Sequence, residues 1–248
     1  MNCTPLYAVA LKDAVPDREA AEAFLAGRLG DRARAREFLR RNPGYLGRCL
    51  PRDAAARLRV EAADSALDAA LFEEDSLKAP SPLGTARLEL KGLGLRAQAA
   101  GAEVFIRYED VSLIAAAAYD APAPAPDLSV LKDGLFSRIR GLAGAAAAEP
   151  EPRRETFFRA DVVAADGLRL LLEPENMDFS TLGSRRAHAS LPNFRLLLED
   201  LAAACTGAAS NAFLKAFVSS GNLTPLKVAG PEAADEELAR LLLLGRRR

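Results

Sequence analysis

LYAVALK (residues 6–12) opens the stretch that decides the fold of the first part of the chain. It is followed by REAAEAFLAGRLG (18–30), ARAREFLRRNPGYLGRCL (33–50) and PRDAAARLRVEAADSALDAALFEED (51–75). Tyr7, Val9 and Leu11 alternate with smaller residues, which predicts a strand with one buried face. Asp17 stands where a helix N-cap is expected, and Gly30 stands where that helix ends. The stretch is therefore predicted to begin with a strand and a helix.

The rest of this stretch has the spacing of two more helices and a second strand. A short helix is predicted over residues 32–41, because the Asn-Pro-Gly sequence at 42–44 is a strong helix stop. Pro51 suits the start of a third helix, and the alternation around Leu71 predicts a closing strand. Together these predictions describe a small two-layer βααβ-type sandwich over residues 5–76.

The order of these elements resembles the C-terminal domain of the bacterial ribosomal stalk protein L7/L12 family, a small module that contacts partner proteins. Pro43–Leu71 can be laid on that family without a gap, and the matching positions include Leu46, Leu50, Asp53, Ala55 and Leu58. Ala35 and Arg36 fall where the family has an Ala-Lys pair on its partner-binding helix, whereas Arg34 replaces an acidic residue. The resemblance implies this fold and a protein-docking role.

The helix predicted over 32–41 is densely basic and carries Arg32, Arg34, Arg36, Arg40 and Arg41. Three interpretations are open: an ordinary solvated helix face, a docking surface for an acidic protein partner, or a contact with nucleic acid. The last is disfavoured because no aromatic platform that could stack on bases accompanies the arginines. The candidate partner-binding residues are Arg32, Arg34, Arg36 and Arg40.

A Pro-rich linker over 76–84 leads into a region with a different pattern. Short alternating segments indicate about six strands, with one turn at Gly92 and a two-residue turn at Asp166-Gly167. Ser190 stands where it can cap a long amphipathic helix that follows it.

Strands closed by one C-terminal helix resemble the plan of pleckstrin-homology-like domains. The predicted fold class is thus α+β: the small sandwich, followed by a pleckstrin-homology-like β-barrel over residues 85–205 that is capped by a C-terminal helix. Residues 206–248 are predicted to form a helical C-terminal extension.

The second region is interrupted by an insert at 121–154 whose ends have the Ala-Pro and Ala-Glu-Pro composition of disordered linkers. Between those ends, apolar residues at spacings of three and four predict an amphipathic helix over 127–144. This helix could pack on its own barrel, enter a groove of a partner, or lie on a membrane surface.

Lys91 and Arg96 flank the first hairpin of the second region, next to Arg87 and Arg107. In pleckstrin-homology-like domains, basic residues around this hairpin can bind lipid phosphates, because several cationic donors converge on one anion. A solvated strand face and a protein contact are the other interpretations. Lys91 and Arg96 are the candidate ligand-binding residues of this alternative.

No motif predicts catalysis, a metal or a cofactor. Three widely spaced cysteines and one histidine, His188, do not form a metal-ligand pattern. The Gly-x-Gly at 92–94 is followed by strand-like residues, not by the helix that a dinucleotide site requires. Several carboxylates in the second half, among them Asp161 and Asp166, are expected in turns or at strand ends, where they are solvated.

Composition limits the remaining choices. With 33 basic and 34 acidic residues, the net charge of −1 gives no general attraction for nucleic acid or anionic membranes. The N-terminal residues lack the pattern of a signal peptide, and we expect a cytoplasmic location. The leading hypothesis is a non-enzymatic adaptor that binds a protein partner; the alternative is an anionic-lipid or membrane-surface sensor. The oligomeric state and the partner stay open.

Overall fold

The computed structural model describes residues 5–13, 17–122 and 154–245. Its helices are α1 (Arg18–Leu29), α2 (Arg32–Arg41), α3 (Arg52–Asp64), α4 (Ser190–Ala204), α5 (Ala212–Val218) and α6 (Pro231–Gly245). Its strands are β1 (Tyr7–Leu11), β2 (Tyr45–Leu50), β3 (Ala69–Glu73), β4 (Pro82–Lys91), β5 (Gly94–Ala99), β6 (Ala102–Arg107), β7 (Val111–Pro122), β8 (Arg154–Ala164), β9 (Arg169–Leu172) and β10 (Ala209–Ser210). The structure is therefore mixed α+β, as predicted. The helix predicted over 127–144 lies outside the described residues.

The helices of the first module begin and end where their local chemistry predicts. Asp17 accepts a hydrogen bond from the Ala20 amide at 3.0 Å and so caps α1. Gly30 ends α1 in the left-handed conformation, with φ +71°. The predicted bounds of α2 are also confirmed.

The small sheet has the strand order β2-β1-β3, and β1 pairs antiparallel with both neighbours. The predicted strands correspond to β1 and β3, whereas β2 is a strand that the sequence analysis did not predict. Its sequence carries Gly47, its Cys49 adopts φ +53°, and its register with β1 shifts twice. These irregularities remove the alternation by which a strand is recognised.

Both faces of β1 are buried, which differs from the single buried face that was predicted. Val9 and Leu11 belong to the core formed with α1, α2 and α3. Ala8 and Ala10 pack on the other face, in a cluster that includes Leu243 and Leu244 of α6. Because the second face carries only small side chains, a helix can lie close against it.

The large sheet has the order β10-β7-β8-β9-β4-β5-β6 and is open. The prediction of a closed β-barrel is wrong. The antiparallel strands β7, β8 and β9 are joined to the antiparallel strands β4, β5 and β6 through parallel pairing of β4 with β9. The sheet ends at β6 on one side and at the two-residue β10 on the other. These end strands do not pair with each other, and α4 and α5 pack on the sheet's inner face, where their apolar residues share one core with it.

The ends of two predicted elements differ in detail from the expectation. Ser190 is the first residue of α4 and forms no cap; the helix starts after Ala189 without a side-chain cap. The turn at 165–167 has three residues, since the Ala164 amide donates to the carbonyl oxygen of Leu168. Asn211 caps α5 by accepting from the Leu214 amide at 3.0 Å.

The C-terminal helix α6 lies between the two sheets. Its Leu238 and Leu241 pack on the outer face of β7 and β8, while the small sheet covers its other side. The buried Arg240 donates from Nη1 to the carbonyl oxygens of Leu11 at 2.8 Å and Asp13 at 2.9 Å. Of the region 206–248 that was predicted as a helical extension, α6 is thus the layer that joins the two sheets, whereas β10 and α5 belong to the large sheet and its core.

Candidate functional site

Strand β6 forms a free edge of the large sheet among the described residues. It pairs antiparallel with β5 from Gly94↔Arg107 to Ala99↔Ala102, and no described strand pairs on its other side. An edge strand presents unpaired backbone N–H and C=O groups and is a template for another extended chain. The edge of β6 is therefore the first candidate for an interaction site.

The hydrogen-bond pattern shows which backbone groups of β6 face outward. Tyr108, next after β6, donates from its amide to the carbonyl oxygen of Leu93 at 3.1 Å. In an antiparallel pair, hydrogen-bonded residues alternate with residues whose backbone groups point away. Counting back from Tyr108 along the same register, the outward N–H and C=O groups belong to Glu103, Phe105 and Arg107.

Two large apolar side chains are exposed next to this edge. Phe105 is 55% exposed and Leu93, in the β4–β5 turn, is 84% exposed. With Arg107, Tyr108 and Glu109 they line a groove with a volume of about 560 Å³. Isolated exposed apolar residues are common, but this pair adjoins unpaired backbone, which is the combination that strand addition uses.

Gly94 allows Phe105 to lie flat on the outer face of the sheet. A Cβ atom at Gly94 would come within 2.6 Å of the Phe105 ring and 2.4 Å of the Ile106 carbonyl oxygen. Only a glycine leaves room for a ring there, and the ring in turn covers the glycine backbone. Val104 and Ile106 point to the opposite face and contribute to the core.

Charges of both signs alternate on the outer face around Phe105. Arg96 lies 3.7 Å from Glu103, and Arg107 lies 3.0 Å from Glu109. These side chains are at least half exposed, so each ion pair contributes about 0–1 kcal/mol. The face is therefore amphipathic and carries no uniform charge.

Lys91 and Arg96, the residues of the lipid alternative, both have acidic neighbours on this face. Lys91 lies 3.9 Å from Glu89, and Arg96 lies 3.7 Å from Glu103. A phosphate site needs several cationic donors that converge on one point. Here the acidic residues are interleaved with the basic ones, because Glu89 lies opposite Arg96 and beside Lys91.

The candidate arginines of α2 are mostly engaged within the chain. Arg32 and Arg36 both pair with Glu22 of α1, the latter at 3.0 Å. Arg40 pairs with Glu37 at 3.0 Å, as does Arg41 at 2.7 Å. The hydrogen bond from Arg36 keeps the pKa of Glu22 below its ordinary value. Three of the four predicted residues thus already bind a carboxylate of the chain: Arg32 and Arg36 bind Glu22 of α1, and Arg40 binds Glu37 within α2.

Arg34 differs from the other three, because it is exposed and forms no ion pair with any described residue. A single free arginine on a helix is an ordinary solvated side chain. The docking role of Arg32, Arg34, Arg36 and Arg40 stays a prediction.

A cluster of two arginines and two carboxylates lies between the large sheet and α6, with three of its four members buried and Asp235 partly exposed. Arg159 of β8 and Arg169 of β9 both pair with Asp161, at 2.9 and 2.8 Å. Both also pair with Asp235 of α6, Arg159 at 2.7 Å. Asp161 was expected in a solvated turn or strand end; it is 3% exposed in the middle of β8, and that expectation is wrong.

This cluster joins elements and offers no free acid or base. Burial alone would raise the pKa of Asp235, but hydrogen bonds from Arg169 and Arg159 outweigh it and keep the pKa below its ordinary value. The positive charges of the two arginines also balance the negative charges of the two carboxylates. We interpret the cluster as a structural connection between the sheet and α6.

An apolar groove of about 520 Å³ lies between α4 and α5. Leu191, Leu196 and Phe217 supply its apolar walls, and Arg195 closes one side by donating to the Val218 carbonyl oxygen at 2.8 Å. Its lining shows no pattern that identifies an occupant, in contrast to the edge of β6.

The histidine, the potential metal ligands and the Gly-x-Gly sequence were considered and disfavoured as sites in the sequence analysis. His188 is exposed in the loop before α4, and no group of three or more potential metal ligands occurs among the described residues. The residues at 94–99 continue as β5, so the Gly-x-Gly forms a hairpin turn as predicted. No helix within the described ranges is long and apolar enough to cross a membrane.

No family model, curated protein or solved structure matches the chain. The resemblances to the ribosomal stalk domain and to pleckstrin-homology-like domains stay predictions.

The residues at the edge of β6 were not among the predicted site residues. Phe105 stands between Glu103 and Arg107, on the polar side of an alternating strand, and Leu93 lies in a turn. An aromatic residue at a polar position is the sequence signal that could have identified this surface.

Proposed function

We propose that the chain is a non-enzymatic adaptor that binds an extended segment of a protein partner along the edge of β6. One observation carries this proposal: the outward backbone groups of residues 103, 105 and 107 adjoin the exposed side chains of Leu93 and Phe105. Strand addition takes its affinity from main-chain hydrogen bonds and its specificity from side chains on alternate positions. Both elements are present at this edge.

The side chains of the edge define the chemistry of the segment. An apolar residue would lie opposite Phe105, where it gains contact with the ring and with Leu93. A basic residue suits the position opposite Glu103, and an acidic residue suits the position opposite Arg107. The partner segment is therefore an extended strand with one apolar residue between two opposite charges.

The anionic-lipid alternative has less support. Its two residues, Lys91 and Arg96, each lie within 4 Å of a carboxylate, so a phosphate would compete with Glu89 and Glu103 for them. The α2 arginines also support docking less than the edge does, because Arg32, Arg36 and Arg40 already bind acidic residues of the chain.

The proposal is tested by a photo-crosslinking residue at position 105 of the full chain, in cells that express it. Val60 on α3 is also 55% exposed, so the same residue at position 60 is a matched control. We expect protein adducts from position 105 that map to an extended segment of the partner, and fewer or none from position 60.

A proline at position 103 provides the second arm of this experiment. The amide of Glu103 faces outward, so Glu103→Pro removes a donor of the edge without breaking a hydrogen bond to β5. We expect the adducts from position 105 to disappear in this variant. Adducts that persist in Glu103→Pro, or that are equal from positions 60 and 105, would refute docking at the edge.

A further inference from the structure

This inference rests on the proposed function, because it names the partner of the β6 edge. We propose that the segment which adds to β6 is β6 of a second copy of the chain, in antiparallel orientation, with Phe105 on the two-fold axis. The two large sheets would then continue into each other across the axis.

The sequence of β6 complements itself when it is read in opposite directions. Its central residues are Glu-Val-Phe-Ile-Arg, residues 103–107. In an antiparallel pair centred on Phe105, Glu103 faces Arg107 of the other copy, and Val104 faces Ile106. Each acidic residue thus meets a basic one, and each apolar residue meets an apolar one.

The backbone agrees with the same register. Residues 103, 105 and 107 direct their N–H and C=O groups away from β5. In the proposed pair these three residues face residues 107, 105 and 103 of the other copy, all of which also point outward. Every cross-strand pair that should be hydrogen-bonded therefore has outward N–H and C=O groups in both copies. A register displaced by one residue would place an outward residue opposite an inward one.

The side chains that point away from the core also fall on one face of the joined sheet. The two Phe105 rings would be cross-strand neighbours, with Cα atoms about 5.5 Å apart, beside both copies of Leu93. Arg96 lies next to Glu103, and Glu109 lies next to Arg107. Pairing would extend these two ion pairs into a row of alternating charges from one copy to the other.

Charges on an edge strand ordinarily prevent such pairing, because like charges meet or are desolvated. In the proposed pair, unlike charges meet, because the two charges of β6 have opposite sign and are placed symmetrically about Phe105. A pair of six-residue strands is a small interface, so we expect weak, concentration-dependent association.

The test is sedimentation equilibrium of the full chain over a wide range of concentrations. We expect a monomer–dimer equilibrium for the wild type. Glu103→Arg places an arginine opposite Arg107 at two symmetric positions, and we expect it to lower the association constant about tenfold or more. The double variant Glu103→Arg/Arg107→Glu restores opposite charges, and we expect it to return to within about threefold of the wild type. Arg59→Glu on the exposed side of α3 serves as the charge-reversal control and is expected to leave the constant unchanged.

A disulfide at the axis gives an independent measurement. Phe105→Cys places two thiols across the axis at a Cα distance that a disulfide accepts, in a background with Cys3 and Cys49 changed to serine. We expect mild oxidation to give a covalent dimer, whereas Leu93→Cys, which is more exposed but lies off the axis, should give much less.

The outcomes separate this inference from the function on which it rests. A wild type that is monomeric at every concentration, or a double variant as weak as Glu103→Arg, overturns self-pairing. If the chain is monomeric and position 105 still crosslinks to another protein in a manner that Glu103→Pro abolishes, the proposed function stands and only this inference fails. If neither association is found, both fail.

Discussion

The ring of Phe105 on β6 lies across Gly94 on β5, so closely that a Cβ atom on Gly94 would be 2.6 Å from the ring. This contact holds the only aromatic side chain of β6 on the outer face, beside the outward backbone groups of the edge strand. The glycine therefore shapes the proposed docking surface although it carries no side chain.

Replacing this glycine tests that contact. Gly94→Ala places a methyl group against the ring and against the Ile106 carbonyl oxygen, and we expect a loss of about 1–3 kcal/mol in the free energy of unfolding. Urea unfolding measures it. Gly84→Ala on β4 is the control, because a Cβ atom there meets nothing within 4 Å. An equal effect of the two substitutions would contradict the packing described for Phe105.

The buried charge cluster is predicted to be sensitive to the loss of one carboxylate. Asp161→Asn leaves Arg159 and Arg169 buried with less compensating charge, and we expect a loss of about 3–5 kcal/mol. Chemical denaturation of the variant measures this loss. Asp166→Asn in the exposed turn should change stability by less than about 0.5 kcal/mol. If Asp161→Asn lowers the free energy of unfolding no more than Asp166→Asn does, the cluster does not connect the sheet to α6 in the way described.

Arg240 offers a test of the layer between the two sheets. Its Nε and Nη2 atoms have no hydrogen-bond partner among the described residues, while Nη1 binds two carbonyl oxygens near the end of β1. We expect Arg240→Ala to destabilise the chain by about 3 kcal/mol, because it leaves a cavity and two unpaired carbonyl groups. Arg240→Met fills the cavity and should recover most of that loss, as measured by thermal and denaturant unfolding.

Glu74 makes the stability of the small sheet depend on pH. Burial would raise its pKa, but the hydrogen bonds from Arg48 and from the Cys49 amide outweigh burial, and the pKa lies below its ordinary value. A carboxyl group whose pKa is lowered in the folded state stabilises the fold at pH values above its ordinary pKa of about 4.3. That stabilisation is lost as the pH falls through the lowered pKa.

The corresponding variant is Glu74→Gln, which we expect to cost about 1–3 kcal/mol at neutral pH. The difference from the wild type should shrink as the pH falls below the ordinary value of a glutamate, because the wild-type carboxyl then becomes neutral too. Urea unfolding at several pH values measures it, with the exposed neighbour Glu73→Gln as the control. A difference that stays constant with pH would contradict the role given to the Glu74 charge.

Elements with local signals were predictable from the sequence. The ends of α1 depend on Asp17 and Gly30, and the C-terminal end of α2 depends on the Asn-Pro-Gly turn, all of which lie within a few residues of the helix they limit. The hairpin at Gly92 follows the same logic, because Gly92 supplies the positive φ of the turn.

Features that depend on distant partners were not predictable in this way. Closure of the sheet depends on whether β6 meets β10, about a hundred residues away, and no local pattern records that these strands stay apart. The burial of Asp161 likewise depends on Arg169 and on Asp235 of a helix much later in the chain. The edge proposed for docking was not predicted, because exposure of Phe105 is a property of the assembled sheet.

The most direct test of the docking account is hydrogen exchange of the β6 amides, resolved by residue with NMR. In dilute protein we expect slow exchange for Val104 and Ile106, which are bonded to β5, and fast exchange for Glu103, Phe105 and Arg107. As the concentration is raised, the second set should become protected while the first set changes little.

The alternation is the result that a free edge at β6 predicts, and its dependence on concentration is the result that self-pairing at this edge predicts. Fast exchange of residues 103, 105 and 107 at every concentration and in the presence of cell extract would contradict docking at β6. Protection of the same three amides in a chain that sediments as a monomer would contradict it as well, since the edge would then be covered by the chain itself.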